Sequence, residues 1–289
     1  MKKKVAIFLL LFCFIPLAKL YAQQTEEEAI DTLLKTTKNF RKEIQNLSLH
    51  KGSINEQIFD YKYTYEEVLE GARALYKFNR AYPKSTKLGV LTGKFVQNKN
   101  IGLLINKNKY KELADTVKKY PGAEILSLKR QMRKYFNDFE ERFINSVDGI
   151  IIGEILSIDS ISCISDDLGF PLELLIYKVK VDEIIDGLED FKQGDIIKVW
   201  VAIIWGIGIY EQEKKYLLPL WYRDANDSRT PPMSVYCNFG DRPTIFSIQE
   251  NLLIDGNNTF GLGYEVKLDS IKNYIIDLRN KLLSEGSEK

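Results

Sequence analysis

The apolar positions change period about halfway along the chain. Up to residue 147 they recur at three- and four-residue spacing, the signature of amphipathic helices. Thr25 to Leu47 carries Ile30, Leu33, Leu34, Phe40, Ile44 and Leu47 at near-helical spacing. Thr64-Tyr-Glu-Glu67 is a capping-box pattern that opens a second helix through Arg80, and Pro83 stops it. Tyr110 to Tyr120 predicts a third helix, ended by Pro121-Gly122. Ile125 to Ile144 predicts a fourth, with Leu126, Leu128, Met132, Phe136, Phe139 and Phe143 on its apolar face. Leu88 to Ile105 is ambiguous. Gly89, Gly93 and Gly102 weaken a helix there, and a small hairpin around Asn98-Lys99-Asn100 is the alternative.

From residue 148 the pattern shortens to alternation and brief continuous runs. Strands are predicted near 150–160, 172–185, 196–205, 215–222 and 234–238, with a short pair around 244–254. Leu175, Tyr177, Val179 and Val181 share one strand face, and Lys178 and Lys180 take the other. Ile150-Ile151-Ile152 is continuous, as in a strand covered on both sides. Asp269 to Leu283 returns to the helical period, with Ile271, Tyr274, Ile275, Leu278 and Leu282 inward. The fold class is therefore α+β: a helical region at 23–147, antiparallel strands at 148–268, and a C-terminal helix and tail at 269–289.

Residues 1–22 read as an export signal. Lys2, Lys3 and Lys4 precede an apolar core from Val5 to Ala18, and Tyr21-Ala22 offers a small residue before Gln23. That core is shorter than a membrane span needs. The expected mature chain has no transmembrane span and is periplasmic, surface-associated or secreted. Loss of the signal leaves 37 basic and 40 acidic residues, and the near balance hides an asymmetry. Residues 23–147 hold 23 Lys/Arg against 16 Asp/Glu, whereas 148–289 hold 14 against 24. Cys163 and Cys237 remain; after export they either form one bridge or stay as two buried thiols.

The charge asymmetry has a focus. Gly71 to Lys111 contains ten Lys/Arg and no Asp or Glu. Arg73, Lys77 and Arg80 share a helix face, and Lys84 and Lys87 follow. One reading is capture of an anion: an acidic glycan, a lipid headgroup or nucleic acid. The other is a solvated surface, or an internal partner for the acidic second half.

Catalytic and metal signatures are sparse. The one histidine, His50, has too few potential partners for a His-based zinc site or a catalytic triad. Gly89-Val-Leu-Thr-Gly93-Lys94-Phe95 is one residue short of a phosphate loop and lacks Ser or Thr after the lysine. No motif implies a cofactor. Asp166-Asp167 and Glu189-Asp190 read as solvated turns, and a carboxylate-dependent glycan hydrolase would need two carboxyls facing each other across a cleft. The aromatic residues point to binding instead. Trp200 and Trp221 sit at strand positions that favour packing. Trp205, Tyr210, Tyr222 and Arg223 are the candidate ligand contacts.

Four segments together resemble a known module. They are Asp148-Gly-Ile-Ile-Ile-Gly-Glu-Ile-Leu-Ser157, Tyr177-Lys-Val-Lys-Val-Asp-Glu-Ile-Ile-Asp-Gly187, Gly194-Asp-Ile-Ile-Lys-Val-Trp200 and Tyr216-Leu-Leu-Pro-Leu220. Their spacing resembles the netrin-like module, the OB-type antiparallel β-barrel of tissue inhibitors of metalloproteinases, over residues 148–222 and extendable to 265. The resemblance implies a barrel, an exported location and a non-enzymatic role in binding a protein or glycan. One departure matters: those inhibitors place an N-terminal cysteine just before the first strand, and here Asn145-Ser146-Val147 stands there. The zinc-chelating wedge of the family is therefore not implied.

Overall fold

The computed structural model describes residues 25–37, 63–98, 100, 103–104, 107, 109–117, 119–165, 171–203, 209–222, 233–235, 238–239 and 242–284. The chain is a mixed α+β protein. Its helices precede the sheet, and one more follows it.

Helix α1 (Glu26–Thr37) opens on a Thr25–Glu28 box, with reciprocal backbone-to-side-chain bonds of 2.8 and 3.3 Å. It buries Ile30 and Leu33. Positions 38–47 of the predicted helix lie outside the described residues, as do 1–22 and His50. Helix α2 (Tyr65–Ala81) starts at the expected capping box: the Thr64 amide donates to Glu67 at 2.9 Å and the Glu67 amide to Thr64 Oγ1 at 3.2 Å. Each such cap satisfies helix-end donors and contributes about 1 kcal/mol. The chain leaves α2 at Tyr82, immediately before Pro83.

Residues Lys87–Val96 form helix α3, which replaces the hairpin alternative for that stretch. Leu88 and Phe95 are buried on one face, and a Cβ at Gly89 or Gly93 would meet open space. Burial of two large side chains outweighs the weak helix propensity of the glycines. Lys99, at the proposed hairpin tip, lies outside the described residues. Helix α4 (Tyr110–Val117) follows. The predicted fourth helix is two helices, α5 (Gly122–Tyr135) and α6 (Asp138–Asn145). Phe136 turns extended, and Asn137 begins a new capping box with Glu140 at 2.7 and 3.2 Å. The apolar period runs through this break because both helices face the same core.

The strands are β1 (Gly149–Ser165), β2 (Pro171–Gly187), β3 (Ile196–Ile203), β4 (Lys215–Tyr222), β5 (Met233–Val235), β6 (Asn238–Phe239), β7 (Arg242–Pro243), β8 (Phe246–Gln249), β9 (Leu252–Asp255) and β10 (Glu265–Lys267), and helix α7 (Leu268–Leu283) ends the fold. Among the described residues, eight strands form one sheet in the order β1-β2-β3-β5-β4-β8-β9-β10, and β6 and β7 pair separately. β1 also pairs with β4, from Gly149 opposite Leu220 to Glu154 opposite Lys215. All pairings are antiparallel except β3 with β5, which is parallel. β1 carries four register shifts against β2, and such bulges bend and coil a strand.

Alternation sorts the strand residues to two faces. Ile151, Ile155, Tyr177, Val179, Val181, Val199, Val201, Leu218 and Leu220 fill one apolar cluster. Ile150, Ile152, Ile185 and Leu217 turn the other way and join a cluster made mainly by the helices. There they meet Leu75, Tyr76, Phe139, Phe143, Ile271 and Ile275. The three isoleucines at 150–152 are all buried, in keeping with a strand covered on both sides. A third, smaller cluster of Leu174, Ile176, Trp200 and Trp221 lies across β2, β3 and β4. Its two indoles meet edge to face at 5.8 Å, each opposite Ser234 of β5.

Candidate functional site at the helix-sheet seam

The end of α2, the start of β1, and the ends of β2 and β4 converge at one seam. Each arrives for a local reason. Pro83 stops α2 and leaves Arg80 in its last turn. Asp148 docks on β4, where its backbone amide donates to the Leu220 carbonyl at 2.8 Å. The same residue's carboxylate accepts the Tyr222 amide at 2.8 Å, which clamps the start of β1 to the end of β4. Asp186 is the last residue but one of β2, followed by Gly187 at φ +63° and Leu188 at φ +60°. A Cβ on Gly187 would stand 2.1 Å from the Asp148 carbonyl oxygen, so the close approach of the two chains requires glycine.

Arg80 bridges these pieces. Its guanidinium donates to the Asp148 carbonyl and to the Asp186 carboxylate. It also lies over the rings of Tyr76 and Phe143, at 5.1 and 5.3 Å. Arg279 of α7 approaches the second oxygen of Asp186 at 3.6 Å. The Asp186 side chain is 2% exposed and that of Arg80 16%. A carboxylate this deep is tolerated because cations meet both of its oxygens.

Asp148 behaves differently. Burial pushes its carboxyl up to about 7, against the opposing pull of the Tyr222 amide and of Arg80. Tyr222 is pushed up to about 12, first by burial and then by the charge of Asp190. The Tyr222 hydroxyl donates to Asp190 at 3.3 Å, and Lys84 stands 4.8 Å over the Tyr222 ring and 3.8 Å from Asp190. Lys84 and Asp190 are exposed, with side chains 59% and 69% accessible. The seam is thus a buried ion pair beside a half-buried ring that is flanked by an exposed ammonium and an exposed carboxylate.

The residues singled out in the sequence disperse around this seam. Arg80, Lys84 and Tyr222 come together there. Arg73 instead caps α7, donating to the Lys281 carbonyl at 3.0 Å and to Ser284. Lys87 pairs with Glu26 at 3.1 Å and with Glu27, tying α3 to α1. Lys77 is exposed. Tyr210 lies apart from the seam. It is 4% exposed, its ring packs edge-on against Tyr177 and Tyr216, and its amide donates to the Tyr177 hydroxyl at 3.1 Å. That ring belongs to the core. Trp205, Arg223 and Cys237 lie outside the described residues. Cys163 is on β1 opposite Glu173.

Asp148, Asp186, Asp190 and Arg279 were not singled out as site residues. Asp186-Gly187 and Glu189-Asp190 read locally as turn chemistry. Nothing local announces that Asp186 is buried, because its partner Arg80 is 106 residues away. The excess of base before residue 147 and of acid after it was the one available signal.

Among the described residues no group of three or more His, Cys, Asp or Glu is placed to hold a metal ion. None of the described helices is long and apolar enough to cross a membrane. Comparison with models of known protein families and with curated proteins found no match to this chain.

Proposed function

We propose that this chain is an exported, non-catalytic binding protein whose strands β1–β5 form a netrin-like, OB-type barrel, and that it binds a glycan at the seam through Tyr222, Lys84 and Asp190. Three features support the barrel. The pairings run from β1 through β2, β3, β5 and β4 back to β1. One apolar cluster draws residues from all five strands. The resemblance of residues 148–222 points the same way. Export rests on Lys2–Lys4 and the apolar core from Val5 to Ala18.

The observation that carries the ligand class is the half-buried Tyr222 ring with an exposed ammonium and carboxylate beside it. A tyrosine ring beside an ammonium and a carboxylate offers a stacking surface together with donors and acceptors for sugar hydroxyls. The clamped β1–β4 junction beneath holds the ring in place, as a preorganised site requires.

A glycan array probed with purified residues 23–289 tests this reading. A defined glycan class should bind, and Tyr222→Ala should weaken binding about tenfold while the fold persists. Binding should survive about 0.5 M salt, because stacking is screened far less than charge. No glycan binding, or full binding by Tyr222→Ala, overturns the reading. Capture of a protein ligand that is lost in Tyr222→Ala would move the ligand class from sugar to protein.

A further inference from the structure

The basic run from Gly71 to Lys111 divides into two parts with different fates. In its front part three cations meet carboxylates within the fold: Arg80 with Asp186, Lys84 with Asp190, and Lys87 with Glu26 and Glu27. Its rear part lines a cavity of about 440 Å³ between the end of α3 and helix α4. Lys107 and Lys109, together with Lys119 just past α4, are among its lining residues. No carboxylate is among the described lining residues. Lys109 alone of the three has an ion-pair partner among the described residues, Glu112 at 2.9 Å.

The wall is also organised. Asn98 donates to the Tyr120 hydroxyl, which joins the end of α3 to the segment after α4. The Asn98 side-chain oxygen Oδ1 accepts the Asn100 backbone amide at 2.9 Å. Thr116, also in the lining, donates to the Glu112 carbonyl at 2.7 Å. Leu103 and Leu104 supply an apolar side.

Lys107 and Lys119 have no ion-pair partner among the described residues, and Lys109 adds a third ammonium already faced by Glu112, so the concavity carries a net positive charge that attracts anions. We infer that this cavity is a binding site for a small phosphomonoester. Such a group carries close to two negative charges at neutral pH and offers three acceptor oxygens. Lysine meets phosphate as a point charge and needs no fixed fork geometry, so three flexible ammonium groups suit it. Leu103 and Leu104 would take the organic part of the ligand. The volume lies within the range of small-ligand sites, roughly 300–1,000 Å³. A concavity of this size has room for a single small group and its organic part.

Titration calorimetry of the full chain with phenyl phosphate at low salt tests the site, with phenol as the uncharged counterpart. One saturable phenyl phosphate site is expected, and none for phenol. Lys107→Ala/Lys119→Ala should weaken it about tenfold or more, as loss of hydrogen bonds to a charged group does. Lys192→Ala/Lys267→Ala removes the same charge from exposed positions elsewhere and should leave affinity within about twofold, since distant exposed charges are screened. Both double variants should keep the circular dichroism spectrum of the parent. Absence of saturable binding, or equal weakening by the two double variants, overturns the inference. Binding to vesicles carrying phosphatidic acid without binding to phenyl phosphate also overturns it, in favour of a membrane surface.

Discussion

Two sets of ion pairs on this molecule have the same chemistry and opposite settings. At the seam, Arg80 and Asp186 meet with little exposure and hold α2 to the end of β2. On the surface of the sheet, Asp159 of β1 takes Lys178 at 3.1 Å and Lys198 at 2.7 Å, and both lysines are about half exposed. The surface set draws basic and acidic residues from neighbouring strands, so it adds cross-strand order but fixes no tertiary contact. The seam pair joins elements from the two ends of a long separation in sequence. The lesson is that charge composition alone ranks these pairs equally, and burial separates them.

The sharpest way to break the comparison is to remove one seam charge. Arg80→Met keeps much of the apolar stem over Tyr76 and Phe143 but leaves Asp186 facing only Arg279. Stability measured by urea denaturation should fall by about 3–5 kcal/mol, the usual cost of a buried charge without its partner. Arg80→Met/Asp186→Leu should recover much of that loss, since an apolar pair of similar volume needs no compensation. If the double variant is no better than the single one, the seam depends on the guanidinium's bonds to the Asp148 backbone and not on charge neutralisation.

The next test turns on pH. The Asp148 carboxyl is raised from the ordinary carboxylate value of 3.8 to about 7 by burial. The folded chain therefore holds a proton that the unfolded chain has released across that interval. Stability is fully retained below about pH 4 for this group and declines as pH rises through 7. The full excursion is at most about 4 kcal/mol, from three pH units at about 1.4 kcal/mol each. Asp148→Asn keeps an acceptor for the Tyr222 amide and cannot ionise. Urea midpoints of that variant should be flatter from pH 5 to pH 8 than those of the parent and should exceed them at pH 8. A parent whose stability rises over that range would show that Arg80, rather than burial, governs Asp148.

Much of this architecture is legible in the pattern of apolar positions. The Thr64–Glu67 cap, the alternation from Leu175 to Val181 and the inward face from Ile271 to Leu282 each follow from local period and local chemistry. The break at Phe136-Asn137 was hidden because α5 and α6 bury their apolar residues in a common core, so no gap in hydrophobicity marks the junction. Helix α3 was obscured by Gly89 and Gly93, whose low propensity is offset by burial of Leu88 and Phe95. The site was legible only in part. Tyr222, Arg80 and Lys84 stand out by type, but that they meet depends on strand register and on where Pro83 ends α2. Tyr210 stands beside glycines in sequence, which reads as a loop contact, while its ring packs edge-on against Tyr177 and Tyr216.

The smallest expected effect completes the comparison. Lys198 pairs with Asp159 at the shortest distance in the surface set, and with Lys178 it holds the Asp159 carboxyl below its ordinary value. Lys198 leads that depression, so its removal is the fair counterpart of Arg80→Met. Lys198→Ala should leave the urea midpoint within experimental error of the parent at moderate salt, because water and mobile ions screen an exposed pair. The sign of any residual effect is fixed. A depressed carboxyl contributes above its ordinary range and loses that contribution as pH falls through it, so a difference between variant and parent should shrink on acidification toward pH 3. A loss at Lys198 comparable to that at Arg80 would mean that the surface ladder, and not the seam, organises β1 against its neighbours.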